Sequence, residues 1–344
     1  MPEQYQAMVA VTVFLIVYAV IISEKIHRTV IALVGAALMV LLSILDFNDA
    51  VGHIDFNTIG LLIGMMLIVG ITRKTGVFEY LAIKSAKIAK AEPIRLLASL
   101  AIVTAVVSAF LDNVTTVLLI VPVTFAITNQ LKINPWPFLF TEILASNIGG
   151  TATLIGDPPN IMIGSATGLG FMDFIINLTP VVAVILLVTI YLLQFVYRDS
   201  LHTTEELKSG VMQMDENEAI KDPRLLRKCL IVLALTILGF FLHQYIHMES
   251  ALIALSGAAL LLLVSGEDVD EAMQTVEWPV LFFFTGLFII VGALVEVGVI
   301  EAIAKWALDV TGGNILSTGM LVLWLSGIAS AFVDNIPFVA TMIP

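Results

Sequence analysis

The chain has 344 residues, of which 59% are hydrophobic and 13% charged, and it carries a net charge of −12. Soluble domains hold about 25% charged residues, so a water-soluble globule is excluded, and the acidic balance argues against nucleic acid as a partner. The single cysteine, Cys229, leaves no internal disulfide and no cysteine-based metal site.

Charge-poor stretches at 5–22, 29–45, 56–72, 96–111, 174–197, 229–242, 250–266 and 278–295 read as candidate spans. About 20 apolar residues cross the hydrocarbon core as a helix. A barrel would need strands that alternate polar and apolar residues, whereas 31–45 is apolar on every face. The expected fold is an all-α polytopic membrane protein. Ser23, Glu24 and Lys25 follow the first span where a signal peptide would show small residues, so that span reads as a retained helix. At 75–92, Lys84, Lys87 and Lys90 interleave with Val77, Leu81, Ile83 and Ile88, the pattern of an amphipathic helix at the membrane surface.

The arms 96–111 and 114–128 flank a polar tip of Asp112, Asn113, Thr115 and Thr116. Polar groups at mid-membrane are costly and normally face a cavity or an ion path. The pair is read as a re-entrant helical hairpin from the cytoplasmic side, with its tip near the midplane. Asp112 supplies a charge that can bind a cation or carry a proton, and as an N-cap it would also serve the second arm.

Apolar arms at 137–146 and 161–167 enclose S-N-I-G-G-T-A-T-L-I-G-D-P-P-N, from Ser146 to Asn160. Its glycines and prolines predict a helix broken inside the membrane between about Gly149 and Pro159. Half-helix ends then offer N–H groups to an anion and carbonyls to Na⁺. Candidate binding residues here are Asn147, Gly149, Gly150, Thr151, Thr153, Gly156, Asp157 and Asn160, with Na⁺ placed near Asp112, Asn113 and Asn147. The charged segment 198–228 reads as a linker between halves. His243 and His247 lack the acidic partner of a metal motif, so a plain membrane-edge position is expected.

Sliding the chain on itself by 222 residues aligns 24–122 with 246–344, with 26 identities in 99 pairs. Gly64, Gly70, Gly76 and Glu79 match Gly286, Gly292, Gly298 and Glu301. Asp112 and Asn113 match Asp334 and Asn335, which join the candidate binding residues. Thr115 and Thr116 become Pro337 and Phe338, so the two tips differ chemically. The expected division is an N-terminal transmembrane helix at 1–23, a first repeat at 24–197, the linker at 198–228 and an incomplete second repeat at 229–344. Residues 123–197 have no partner and Pro344 matches Pro122, so the sequence reads as truncated at its C-terminus. The chain alone is then expected to move no substrate. An external N-terminus puts 15 of the 16 cations inside, with Lys305 the exception. It also inverts the second repeat relative to the first, as in secondary transporters.

The hairpin tip followed by N-I-G-G-T-A-T-L-I-G-D-P-P-N resembles the ion transporter superfamily. That superfamily includes arsenite permeases, sodium/proton antiporters of the NhaD type, citrate-type carriers and sodium–dicarboxylate symporters. The I-G-D-P-P-N form is most similar to the branch of the pink-eyed-dilution P protein and its prokaryotic relatives. In the dicarboxylate relatives the corresponding tip carries Ser-Asn-Thr and helps bind Na⁺ and the substrate carboxylate. Asp112 stands at the serine here, and a second negative charge repels a carboxylate. The expectation turns towards a cation, proton coupling or a neutral substrate such as arsenite.

The resemblance implies a secondary transporter of an inorganic ion or small anion, of the arsenite, Na⁺/H⁺ or carboxylate class, working by alternating access. It implies no cofactor beyond a coupling Na⁺ or H⁺, a plasma-membrane location, and a homodimer as an allowed assembly. A passive channel on the same scaffold is the alternative. A membrane-embedded enzyme is remote, since the sequence offers no nucleophile–base pair.

Overall fold

The computed structural model describes residues 3–331 and 335–343; Asp334 and Pro344 lie outside the described residues. Every regular element described is helical. α1 (Glu3–Ser23), α2 (Arg28–Leu41) and α3 (Phe47–Gly52) come first, α3 opened by Asp46, whose carboxylate accepts from Asp49 N at 2.9 Å. α4 (Phe56–Lys74) ends on Arg73 and Lys74, where cations favour the helix C-terminus. Gly76, at φ +80°, makes the left-handed turn into α5 (Val77–Ile88).

α6 (Pro93–Ser108) and α7 (Asn113–Leu131) follow, then α8 (Trp136–Gly150), α9 (Pro158–Thr167), α10 (Phe171–Asn177) and α11 (Thr179–Tyr197). The segment read as a linker holds α12 (Glu205–Met212) and a 3-10 turn at Glu216–Ala219. It is stapled to its neighbours by Lys208 on Glu92 (2.5 Å) and Lys87 on Glu216 (2.5 Å). The Lys87 hydrogen bond holds the Glu216 carboxyl below its usual range. The last elements are α13 (Pro223–Ile246), α14 (Ser250–Ser265), α15 (Val269–Met273), α16 (Trp278–Glu296), α17 (Val299–Thr311), α18 (Ile315–Ala329) and α19 (Asn335–Met342).

Among the described residues, α1 from Tyr5, α4, α7, α11, α13 and α16 are each long and apolar enough to cross a membrane. Two further helix pairs do so only jointly, bent by 115° between α9 and α10 and by 120° between α17 and α18. The lipid solvent shows in what stays uncovered: Leu187 and Tyr191 on α11 are 62% and 69% exposed. The span expected at 174–197 divides, because α10 stops at Asn177 and Thr179-Pro180 starts α11. The amphipathic helix expected at 75–92 is α5, with Ala82 and Ala86 fully buried.

The chain clusters into two units, one of Met1–Ile59 with Glu277–Pro344 and one of Gly60–Val276. The 222-residue offset holds in the helices. α2, α3, α4, α5, α6 and α7 begin at 28, 47, 56, 77, 93 and 113, and α14 to α19 begin 222 residues later at 250, 269, 278, 299, 315 and 335. Local devices repeat too. Asp268 caps α15 through Glu271 N as Asp46 caps α3, and Gly298 turns at φ +74° as Gly76 does at +80°.

In the second unit, a Cβ added at Gly64 on α4 would fall 2.5 Å from the Ala254 carbonyl carbon on α14. In the first, a Cβ at Gly286 on α16 would fall 2.8 Å from that of Ala32 on α2. Adding 222 turns Gly64 into Gly286 and Ala32 into Ala254. Each unit is therefore built on the same helix pair, one helix drawn from each copy. One helix earlier, α1 and α13 each pack on the helix that follows. α1 packs Val17 on Gly35 of α2, and α13 packs Thr236 on Gly257 of α14, although 3–23 and 225–245 share no identity at that offset.

Candidate ion-binding site

The second unit holds both polar segments. α6 turns into α7 at 109–112, and Asp112 is the N-cap of α7, its carboxylate accepting from Thr115 N at 2.8 Å. The break lies at 151–157, between α8 and α9. It is narrower than the sequence suggested at both ends. Gly149 and Gly150 are helical, and Pro158 and Pro159 form the first turn of α9, where a proline's missing N–H costs nothing. The glycines serve close approach. A Cβ at Gly149 would lie 2.2 Å from the Ala105 carbonyl oxygen on α6, and one at Gly156 would lie 2.5 Å from the Gly150 oxygen.

Side chains satisfy the backbone that the break opens, as a buried chain requires. Asn160 Nδ2 donates to Thr153 O at 2.8 Å and Thr151 O at 3.1 Å. Thr179 Oγ1 donates to Ala152 O at 2.9 Å, and Thr153 Oγ1 donates to the Ala109 carbonyl in the hairpin turn. Ser108 Oγ donates to Ser146 O at 2.7 Å. Hairpin and break are thus one packed body. On its open side Asn113 Nδ2 donates to Asn147 Oδ1 at 2.9 Å, directly linking tip and broken helix.

The candidate residues sort by exposure. Asn147 and Thr151 are exposed, and Asp112, Asn113 and Thr115 are half-buried. Thr153, Asp157 and Asn160 are buried, and Gly149, Gly150 and Gly156 pack against backbone. Thr116 is fully buried, and its hydroxyl makes no hydrogen bond. In the first unit Asn335 opens α19, and its Oδ1 accepts from Ile336 N at 2.9 Å. His243 accepts from Phe171 N through Nε2 at 3.3 Å.

Glu142 is absent from the sequence-derived set. It is fully buried on α8, and Thr124 Oγ1 on α7 donates to its Oε1 at 2.5 Å. The signal was one carboxylate in an arm that otherwise reads as apolar. Ser108 and Thr179 are further residues that only the packing shows.

The citrate transporter family model matches residues 18–344. The chain is 47% identical over 342 residues to an uncharacterized transporter of Mycobacterium tuberculosis, covering 98% of this chain and 80% of that protein. It is 45% identical over the same length to the 46 kDa membrane protein of Mycobacterium leprae, again covering 98% and 80%. The human P protein is 31% identical over 421 residues, covering 98% of this chain and 50% of its own length.

Proposed function

The chain belongs to the citrate transporter family, and from that premise we propose that it is a secondary carrier of a small ion or anion working by alternating access. The observation that carries this reading is the Asn113–Asn147 hydrogen bond, which joins two interruptions of helix inside one body of apolar helices. Unwound backbone at membrane depth is tolerated where it is buried in protein or lines a water-filled path. Here its inner side is sealed by Thr153 and Asn160, and its outer side presents Asp112, Asn113, Asn147 and Thr151.

The charge balance favours a cation or a neutral solute at this half of the site. Asp112 already occupies the N-terminus of α7, and the first two positions of α9 are prolines without N–H groups. The Asp112 charge repels an anion from the start of α7, and α9 lacks the first two N–H groups an anion site would use. The Asp112 carboxylate at the tip, with the neutral oxygens of Asn113 and of Asn147 hydrogen-bonded to Asn113, suits Na⁺ or a proton as coupling ion. The transported solute then falls in the arsenite, Na⁺/H⁺ or carboxylate class. The two copies run in opposite directions through the plasma membrane, with the N-terminus outside, and Asp334 and Asn335, the counterparts of Asp112 and Asn113 at the 222-residue offset, are candidate binding residues of the second copy.

Thermal unfolding of the purified protein in lipid nanodiscs tests this reading. A ligand that binds only the folded state raises its stability. Na⁺ combined with citrate or arsenite should raise the midpoint in the wild type and not in Asn147→Ala. A wild type indifferent to all three would overturn the proposal.

A further inference from the structure

The carboxyl of Glu142 has no partner of opposite charge. Its Oε1 takes the Thr124 hydroxyl, while Oε2 is buried and makes no hydrogen bond. α8 packs on α6, α7 and α11. Those helices carry three titratable side chains: Arg95 on α6 and Tyr191 and Tyr197 on α11, with none on α7. Arg95 and Tyr191 are exposed, and Tyr197 is half-buried against a different cluster, with Leu131 and Leu201. Lys132, just past α7, is exposed as well.

An ionised carboxylate in that setting has a single neutral donor for its whole charge, and an isolated buried charge neutralises instead. The unbonded, buried Oε2 leaves the neutral acid as the form this setting favours. Glu142 lies five residues before Asn147 on the same helix, about 7.5 Å along its axis. Thr116, Thr124 and Thr128 mark one face of α7 at four-residue multiples, each fully buried, from the tip to the level of Glu142 and beyond.

We propose that Glu142 is a reversible proton-binding site, the group through which a proton enters the carrier's cycle. The inference rests on the carrier reading. Buried as it is in this structure, Glu142 is the neutral acid. When the helices around it part and water reaches Oε2, the proton leaves to that water and the carboxylate is hydrated. Reprotonation lets the body close again.

The test is the infrared difference spectrum between acid and alkaline pH, recorded on the protein in lipid vesicles without any solute. The wild type should show a buried carboxylic-acid carbonyl band that disappears as the pH rises, and Glu142→Gln should lack it. Gln keeps the shape and an oxygen for Thr124. Thr124→Val retains the carboxyl and should shift the pH at which the band is lost, which keeps the test decisive if Glu142→Gln fails to fold. A spectrum identical in wild type and Glu142→Gln, or a Glu142 band that persists at every pH, overturns the proposal. Stabilisation by Na⁺ with citrate or arsenite is measured separately. Its absence in the wild type would count against the carrier reading, while the infrared band still decides the role of Glu142.

Discussion

At the scale of single residues, Asp112 holds two jobs that one pair of substitutions separates. As N-cap it serves Thr115 N, and asparagine caps a helix as well as aspartate does. Asp112→Asn should therefore unfold at nearly the wild-type temperature, whereas Asp112→Ala should lose about 1 kcal/mol. Both should lose Na⁺-dependent stabilisation if the charge binds the coupling ion. Retention of that stabilisation in Asp112→Asn would leave the residue a cap alone. The Asn113–Asn147 pair is accessible to a double-mutant cycle. A neutral hydrogen bond contributes about 0.5–1.5 kcal/mol, so the coupling energy between Asn113→Ala and Asn147→Ala should fall in that range in denaturant unfolding. Additive losses would mean that the bond between tip and break adds nothing.

Among the elements, the broken helix shows what residue types reveal and what they leave to packing. The break was legible because prolines and clustered glycines cannot share a helix interior, and its place follows from Pro158 and Pro159 opening α9. The roles of Gly149 and Gly150 were not legible. A glycine that permits backbone approach looks the same in sequence as one that ends a helix, and only the Ala105 carbonyl beside Gly149 tells them apart. Glu142 was not legible for a related reason: one charge hardly alters a hydropathy window, and its hydrogen-bond partner Thr124 lies 18 residues away in the chain. Two predictions belong here. Gly149→Ala pushes a methyl into the α6 backbone, and overpacking of that kind costs about 1–3 kcal/mol. Asn160→Leu strips donors from the Thr151 and Thr153 carbonyls, and an orphaned buried acceptor costs about 1–3 kcal/mol. Unchanged thermal midpoints in these variants would contradict the packed-body description of hairpin and break.

For the whole molecule, the internal duplication is the organising fact. The 222-residue offset was legible because Gly64, Gly70 and Gly76 recur with the Asp112-Asn113 pair at one spacing. What the offset could not show is that each unit takes one helix from each copy, since nothing in α2 names α16 as its partner. The exchange predicts symmetric damage. Gly64→Val in one unit and Gly286→Val in the other should reduce folded yield alike, each by forcing a side chain into the backbone at Ala254 or Ala32. Tolerance of one and loss of the other would argue that the two helix pairs are not equivalent.

The central claim is that tip and break together form the ligand-facing half of a carrier site. Side-specific labelling tests it most directly, using Asn147→Cys in a Cys229→Ala background with a membrane-impermeant thiol reagent. Position 147 is exposed on the open side of the break, so the reagent has a target. Modification is expected from both faces of the membrane, in a proportion that changes with Na⁺ and citrate or arsenite, and more slowly when the ligand is bound. Modification from one face only, at a rate no ligand alters, would contradict it.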